Sequence, residues 1–120
     1  MSVKVFDSEL RLMEALWDKK KSTAKELAVI MKEKTGWSKT TTYTVIKKCV
    51  EKGIIFREEP DFVCIPAISK EEVQEYETNE LIDKVYGGDA GILACALVNS
   101  NRLSSEEMVR LKKLIDSIDK

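Results

Sequence analysis

The chain is 120 residues long, 43% hydrophobic and 34% charged, with a net charge of −1. That size allows one domain, or one small domain with an appendage. No apolar run approaches the roughly 18 residues of a membrane helix and the N-terminus M-S-V-K-V-F-D-S-E has no apolar signal core, so a cytoplasmic chain without a membrane partner is expected.

The composition also bears on chemistry. There is no histidine, and Cys49, Cys64 and Cys95 form no C-x-x-C pair. The commonest general base and the commonest metal ligand are therefore missing, and no Gly-rich phosphate loop or nucleophile elbow replaces them. No enzyme, metal site, cofactor or disulfide framework is expected; the cysteines read as small buried hydrophobes.

In chain order, Val3-Lys4-Val5-Phe6 alternates and reads as a lead-in strand or an arm. Asp7 or Ser8 is then expected to cap a first helix. Leu10, Met13, Leu16 and Trp17 form its inner stripe, with Leu12 on a second flank. The run Lys19-Lys20-Lys21 suits either the negative end of that helix dipole or a phosphate contact, Lys21 above all. Thr23 and Glu26 match a capping box opening a second helix. Its buried side is Ala24, Leu27, Ala28, Ile30 and Met31, and Thr35-Gly36 ends it. Trp37 is placed for a hydrophobic staple onto the next helix.

That third helix is expected from Lys39 to Lys52, capped by Ser38 and stopped by Gly53. Val45, Ile46, Cys49 and Val50 fall on one apolar stripe. Its opening, Lys39, Thr40, Thr41, Thr42, Tyr43 and Thr44, is all hydrogen-bonding. Thr is a mediocre helix former, so the run suggests a purpose other than helix stability. A recognition helix supplies one, presenting its N-terminal residues to base edges in the major groove. An ordinary helix with a solvated Thr-rich face is the plainer alternative.

The surroundings favour recognition. Residues 1–18 carry a charge of −2, residues 19–52 carry +7, residues 57–80 carry −6 and residues 81–120 carry none. A basic block thus coincides with the reading helix, and local field rather than net charge steers a polyanion. Two further strand-like runs, Ile54–Glu58 and Phe62–Pro66, flank the turn Glu59-Pro60-Asp61 and make a β-hairpin. Three helices followed by a hairpin describe a winged helix-turn-helix.

Beyond Ala67 the character changes. Ser69 and Glu72 form a capping box for a fourth helix, ended by Gly87-Gly88. Residues 92–98, I-L-A-C-A-L-V, are apolar nearly all round and predict a helix buried on most sides. Ser104 and Glu107 box the last helix. Three helices with this much apolar surface are too few to bury it alone. Residues 69–120 are therefore read as a three-helix dimerisation region, and 1–68 as the DNA-binding domain. The dimerisation residues are expected to be Leu81, Ile82, Val85 and Tyr86 on the fourth helix, Ile92, Leu93 and Leu97 on the fifth, and Met108, Leu111, Leu114 and Ile115 on the sixth. A monomer whose helical tail folds back is the alternative.

With these pieces placed, the sequence resembles the BlaI/MecI family of bacterial repressors of β-lactamase and related genes. The likeness rests on Met13 to Trp17, on Trp37-Ser38-x-x-Thr41-x-x-Thr44 followed by Lys52-Gly53, on Ile82-Asp83-Lys84-Val85-Tyr86-Gly87-Gly88, and on Leu103-Ser104-Ser105-Glu106-Glu107. It implies a mainly α fold with a small β-hairpin wing and a helical arm that joins two chains. It also implies an inverted-repeat operator with the third helix in the major groove, and contacts at Ser38, Thr41 and Thr44. The chain departs from the family pattern at Thr40, where lysine is usual, and at Tyr43, where arginine or glutamine is frequent; Lys39 stands ready to replace the missing charge, and Lys48 takes the place of a usual arginine. The wing departs further, with Glu58, Glu59 and Asp61. Ala96-Leu97 stands where penicillin-responsive members are cleaved at Asn-Phe, and the lone Cys95 does not match the cysteine cluster of copper-responsive cousins.

The sequence thus points to a homodimeric, DNA-binding transcriptional repressor. Base-edge contact is assigned to Lys39, Thr40, Thr41, Tyr43 and Thr44, and phosphate contact to Ser38, Lys47, Lys48 and Arg57. Its rivals are a winged-helix protein-interaction module, suggested by the acidic wing, and a thiol-based redox regulator working through Cys49 or Cys95.

Overall fold

The computed structural model describes residues 4–118. It is mainly helical, in the order α1 (Asp7–Lys19), β1 (Ser22–Thr23), α2 (Ala24–Thr35), α3 (Lys39–Lys52), β2 (Ile55–Glu58), β3 (Val63–Pro66), α4 (Lys70–Val85), α5 (Ala90–Asn99) and α6 (Ser105–Ile118). The chain divides into two compact units, residues 1–77 and 78–120, with the division inside α4.

The first unit is three helices and a small sheet around one core. Leu12, Met13 and Leu16 of α1 meet Leu27 and Met31 of α2 and Ile46 and Cys49 of α3, each at most 1% exposed. Leu12, expected on a flank, sits at the centre, while Leu10 and Trp17 pack only at the core's margin. The start of α4 belongs to this unit. Val73 is buried, Trp17 Nε1 donates to the Ile68 carbonyl at 3.0 Å, and Lys70 Nζ pairs with Glu14 Oε2 at 3.2 Å.

Local chemistry explains most boundaries. Thr23 Oγ1 accepts from Glu26 N and Glu26 Oε1 accepts from Thr23 N, both at 3.1 Å, which satisfies two orphan donors of α2. Gly36 and Gly53 close α2 and α3 at φ +78° and +82°, a region where a side chain is strained. Ile54 completes the stop of α3, its N–H donating to the Cys49 carbonyl at 3.0 Å. It therefore stands outside the strand expected to begin there, and pairing starts at Ile55.

Two other expectations change, the cap of α1 and the extent of the hairpin, and of the two readings of the lead-in segment the arm stands. Neither Asp7 nor Ser8 caps α1: Phe6 occupies the cap position and its N–H donates to Glu9 Oε1 at 2.9 Å, so the third helical side chain does the capping. Of the lead-in segment, Val3 lies outside the described residues, and Lys4–Phe6 form no strand although Val5 is buried. The hairpin is a three-stranded antiparallel sheet in the order β1-β3-β2, because Ser22 and Thr23 pair with Cys64 and Val63.

The second unit takes its caps from Asp89, whose side chain accepts from Ile92 N at 3.1 Å, and from Ser104, whose Oγ accepts from Glu107 N at 3.1 Å. Gly88, at φ +81°, lets its N–H reach the Ile82 carbonyl at 2.9 Å and ends α4. Here the expected burial of α5 is not met within one chain. Ile92, Leu97 and Val98 are 53%, 47% and 41% exposed, and no residue from 78 to 118 is buried.

Candidate nucleic-acid interface

The interface is built on α3. Ser38 Oγ accepts from Thr41 N at 3.1 Å, and the Ser38 hydroxyl donates to Thr41 Oγ1 at 3.0 Å. The Thr44 hydroxyl donates to the Thr40 carbonyl at 2.9 Å, so Thr44 has only acceptor capacity to offer outward. On the inner side Thr42, Val45, Ile46 and Cys49 are buried and dock the helix on the core. Thr42 Oγ1 has no hydrogen-bond partner among the described residues.

On the outer side Lys39, Thr40, Tyr43, Thr44 and Lys47 line one shallow, open depression. Their spacing of one and four places them on a single helical face. The first turn of α3 holds no acidic residue. Its free N–H groups and positive dipole end therefore stand unopposed beside Lys39, which favours an anion there.

The remaining sequence-selected residues do not line this depression. Ser38 and Thr41 are exposed at the helix start. Lys48 borders a different hollow, with Phe6, Ser8, Glu9, Glu51 and Lys52, next to the start of α1. Arg57 is on the wing, and its charge is engaged within the chain: Nε pairs with Glu59 Oε2 at 2.8 Å, and the guanidinium carbon sits 3.7 Å from the centre of the Phe62 ring.

Phe62 is a residue the sequence reading placed in a strand. It stands before β3 with φ +50°, uncommon for a residue with a side chain. Its ring meets Tyr43 edge to face, centroids 6.2 Å apart at 81°, and Lys39 Nζ lies 5.8 Å from the Tyr43 ring centre. A single ladder thus runs Lys39, Tyr43, Phe62, Arg57, Glu59 from reading helix to wing.

Glu9 and Lys52 were likewise not selected as site residues. Glu9 is 2% exposed and forms an ion pair with Lys52 Nζ. The same amine donates to the Lys4 carbonyl at 3.0 Å and lies 4.3 Å from the Phe6 ring centre. This cluster ties the last turn of α3 to the first turn of α1. A lysine and a glutamate this far apart in sequence carry no local signal of pairing.

The thiols sit in two environments. Burial, with Glu9 adding to it, pushes the Cys49 thiol up to about 12, and burial pushes Cys64 up to about 11. Both stay protonated at neutral pH and are poor nucleophiles. Cys95 is exposed on α5. Among the described residues no group of three or more His, Cys, Asp or Glu side chains is placed to hold a metal ion.

Residues 6–117 match the family model described as penicillinase repressor. The chain belongs to the penicillinase repressor family. That family is one of transcriptional repressors, not enzymes. The chain is 24% identical over 120 residues to a penicillinase repressor of Staphylococcus aureus, covering 98% of this chain and 95% of that protein. It is also 24% identical over 114 residues to the methicillin resistance regulatory protein MecI of Mammaliicoccus sciuri, covering 93% of each. The solution structure of the DNA-binding domain of the repressor BlaI superposes with a TM-score of 0.55 at 22% identity, over 60% of this chain and 90% of that one. This likeness establishes the winged-helix fold. No helix among the described residues is long and apolar enough to cross a membrane.

Proposed function

We propose that this chain is a sequence-specific repressor that binds an inverted-repeat operator as a homodimer in the cytoplasm. The observation that carries the reading is the outer face of α3, where Lys39, Thr40, Tyr43, Thr44 and Lys47 share one open depression with no acidic side chain lining it. A helix carrying polar and basic groups on a convex, solvent-facing side fits the major groove. Lys39, Thr40, Thr41, Tyr43 and Thr44 are assigned to base edges. Ser38, Lys47 and Lys48 are assigned to phosphates, where they set position without reading sequence. Arg57, the ninth residue selected from the sequence, is a weaker phosphate candidate because Glu59 already pairs with it.

The dimer is supported by the second unit. Leu81, Val85, Ile92, Leu97, Met108, Leu114 and Ile115 are all exposed in one chain, while Ile82, Tyr86, Leu93 and Leu111 are half-buried. Each large apolar side chain left in water forgoes roughly 1.5–3 kcal/mol, and a second copy supplies the matching surface. The relatives named as repressors support the same reading. The redox alternative loses its stronger candidate with Cys49 at the core.

Selection of bound duplexes from a random pool at moderate salt tests the proposal. A palindrome with half-sites about one helical turn apart is the expected result. If nothing is enriched and binding vanishes at modest salt, the repressor reading fails and the acidic wing points to a protein partner.

A further inference from the structure

The geometry points to Phe62 as a positioning residue: the wing of this protein braces Tyr43 of the reading helix and does not clamp phosphate through Arg57. The inference rests on the DNA-binding reading above and deepens it. Tyr43 stands in the outer face of α3 with Lys39, Thr40, Thr44 and Lys47. Its ring is the largest group there and has two torsions to fix. Phe62 meets that ring edge to face at 6.2 Å, the arrangement aromatic pairs favour. Phe62 is itself held on three sides. Its carbonyl accepts from Ala24 N at 2.9 Å, at the start of α2. The next residue, Val63, pairs with both Thr23 and Glu58. Arg57 covers its ring face at 3.7 Å, and Glu59 Oε2 holds Arg57 in that place at 2.8 Å. Arg57 keeps the N–H donors of its two terminal nitrogens, but its charge is already opposed by Glu59 and its plane is laid on Phe62, so reaching a phosphate means leaving both. Glu58, Glu59 and Asp61 around it are exposed and repel one.

The test uses the full chain, the enriched duplex and a random duplex, with affinity measured over a range of salt. Phe62→Leu keeps an apolar side chain but removes the aromatic face. It is expected to weaken operator binding about three- to tenfold and random DNA less than about twofold, with an unchanged salt slope. Phe62→Tyr restores operator affinity. Tyr43→Leu combined with Phe62→Leu is no worse than Tyr43→Leu alone, because the pair acts as a unit. Arg57→Ala lowers the operator preference and leaves the salt slope unchanged. Thermal melts confirm that each variant is folded. An Arg57→Ala variant that weakens both duplexes equally and flattens the salt slope by about one overturns the proposal, since Arg57 is then a phosphate contact. Equal loss on both duplexes with Phe62→Leu, or no loss, overturns it as well while the repressor reading stands. A wild-type chain that binds no duplex overturns both.

Discussion

The two units are made from the same parts and end differently. Each contains capped helices with apolar side chains at helical spacing. In residues 1–77 those side chains reach full burial, Leu12, Leu16, Leu27 and Ile46 all at 0% exposure. In residues 78–118 none does, and Val85, Leu114 and Ile118 stand 65%, 59% and 73% exposed. The first unit has a sheet and four helical surfaces converging on one centre. The second has helices whose apolar faces outnumber the surfaces available to cover them within one chain. One unit buries its apolar side chains by itself, and the other leaves exposed the apolar surface that the proposed dimer would cover.

The contrast can be broken most strongly at the core. Leu16→Ala removes a side chain at 0% exposure and is expected to cost about 2–5 kcal/mol in urea unfolding. Leu114→Ala, at 59% exposure, is expected to leave unfolding of the first unit unchanged but to shift sedimentation from dimer toward monomer. If Leu114→Ala destabilises the first unit as much as Leu16→Ala does, the two units are not separable. Next in size is Glu9→Ala. It leaves Lys52 without its buried partner and frees the Phe6 N–H, at a cost of about 3 kcal/mol. Because this pair joins the last turn of α3 to α1, DNA binding is expected to fall further than stability predicts; a Leu16→Ala control of similar instability separates the two effects.

Alkaline pH sharpens the comparison. Cys49 and Cys64 titrate near 12 and 11 in the folded chain, above a free thiol at about 8.5. The unfolded chain therefore loses these protons first. Their contribution is fully present below the free-thiol value and is lost as pH rises toward the folded values. Unfolding of the first unit should be easier above about pH 9, and Cys64→Ala should flatten that limb of the stability curve. The smallest effect is a gain. Thr42→Val removes a buried hydroxyl oxygen that has no partner among the described residues, and should stabilise the first unit by about 1 kcal/mol.

Helix caps were the most legible part of the molecule. Thr23, Ser38, Ser69 and Ser104 each bond the backbone three residues on, and that information is local, held within four residues. At the start of α1 the local rule points to Asp7 and Ser8, which are good capping residues by type, and the structure uses Glu9 instead. Glu9 won because it bonds the backbone of Phe6 while also meeting Lys52, a partner no local rule can see. The two-residue strand β1 has no local signature for a related reason: its existence depends on Val63 and Cys64 across the sheet, not on its own residues.

The candidate site divides along the same line. Residue types and spacing in α3 were sufficient to bring Lys39, Thr40, Tyr43, Thr44 and Lys47 to one face, because a helix converts sequence interval into angle. The sequence by itself thus determined the helices, the caps at Thr23, Ser38, Ser69 and Ser104, the polar outer face of α3 and the excess of apolar surface in the second unit, all of which follow from short-range periodicity and hydrogen bonding. Only the tertiary structure decided that Lys48 turns toward α1, that Arg57 stacks on Phe62 and pairs with Glu59, and that Glu9 anchors Lys52. Those outcomes depend on which side chains meet across the fold, and a charge or ring has no preference for one distant partner until packing brings it within reach.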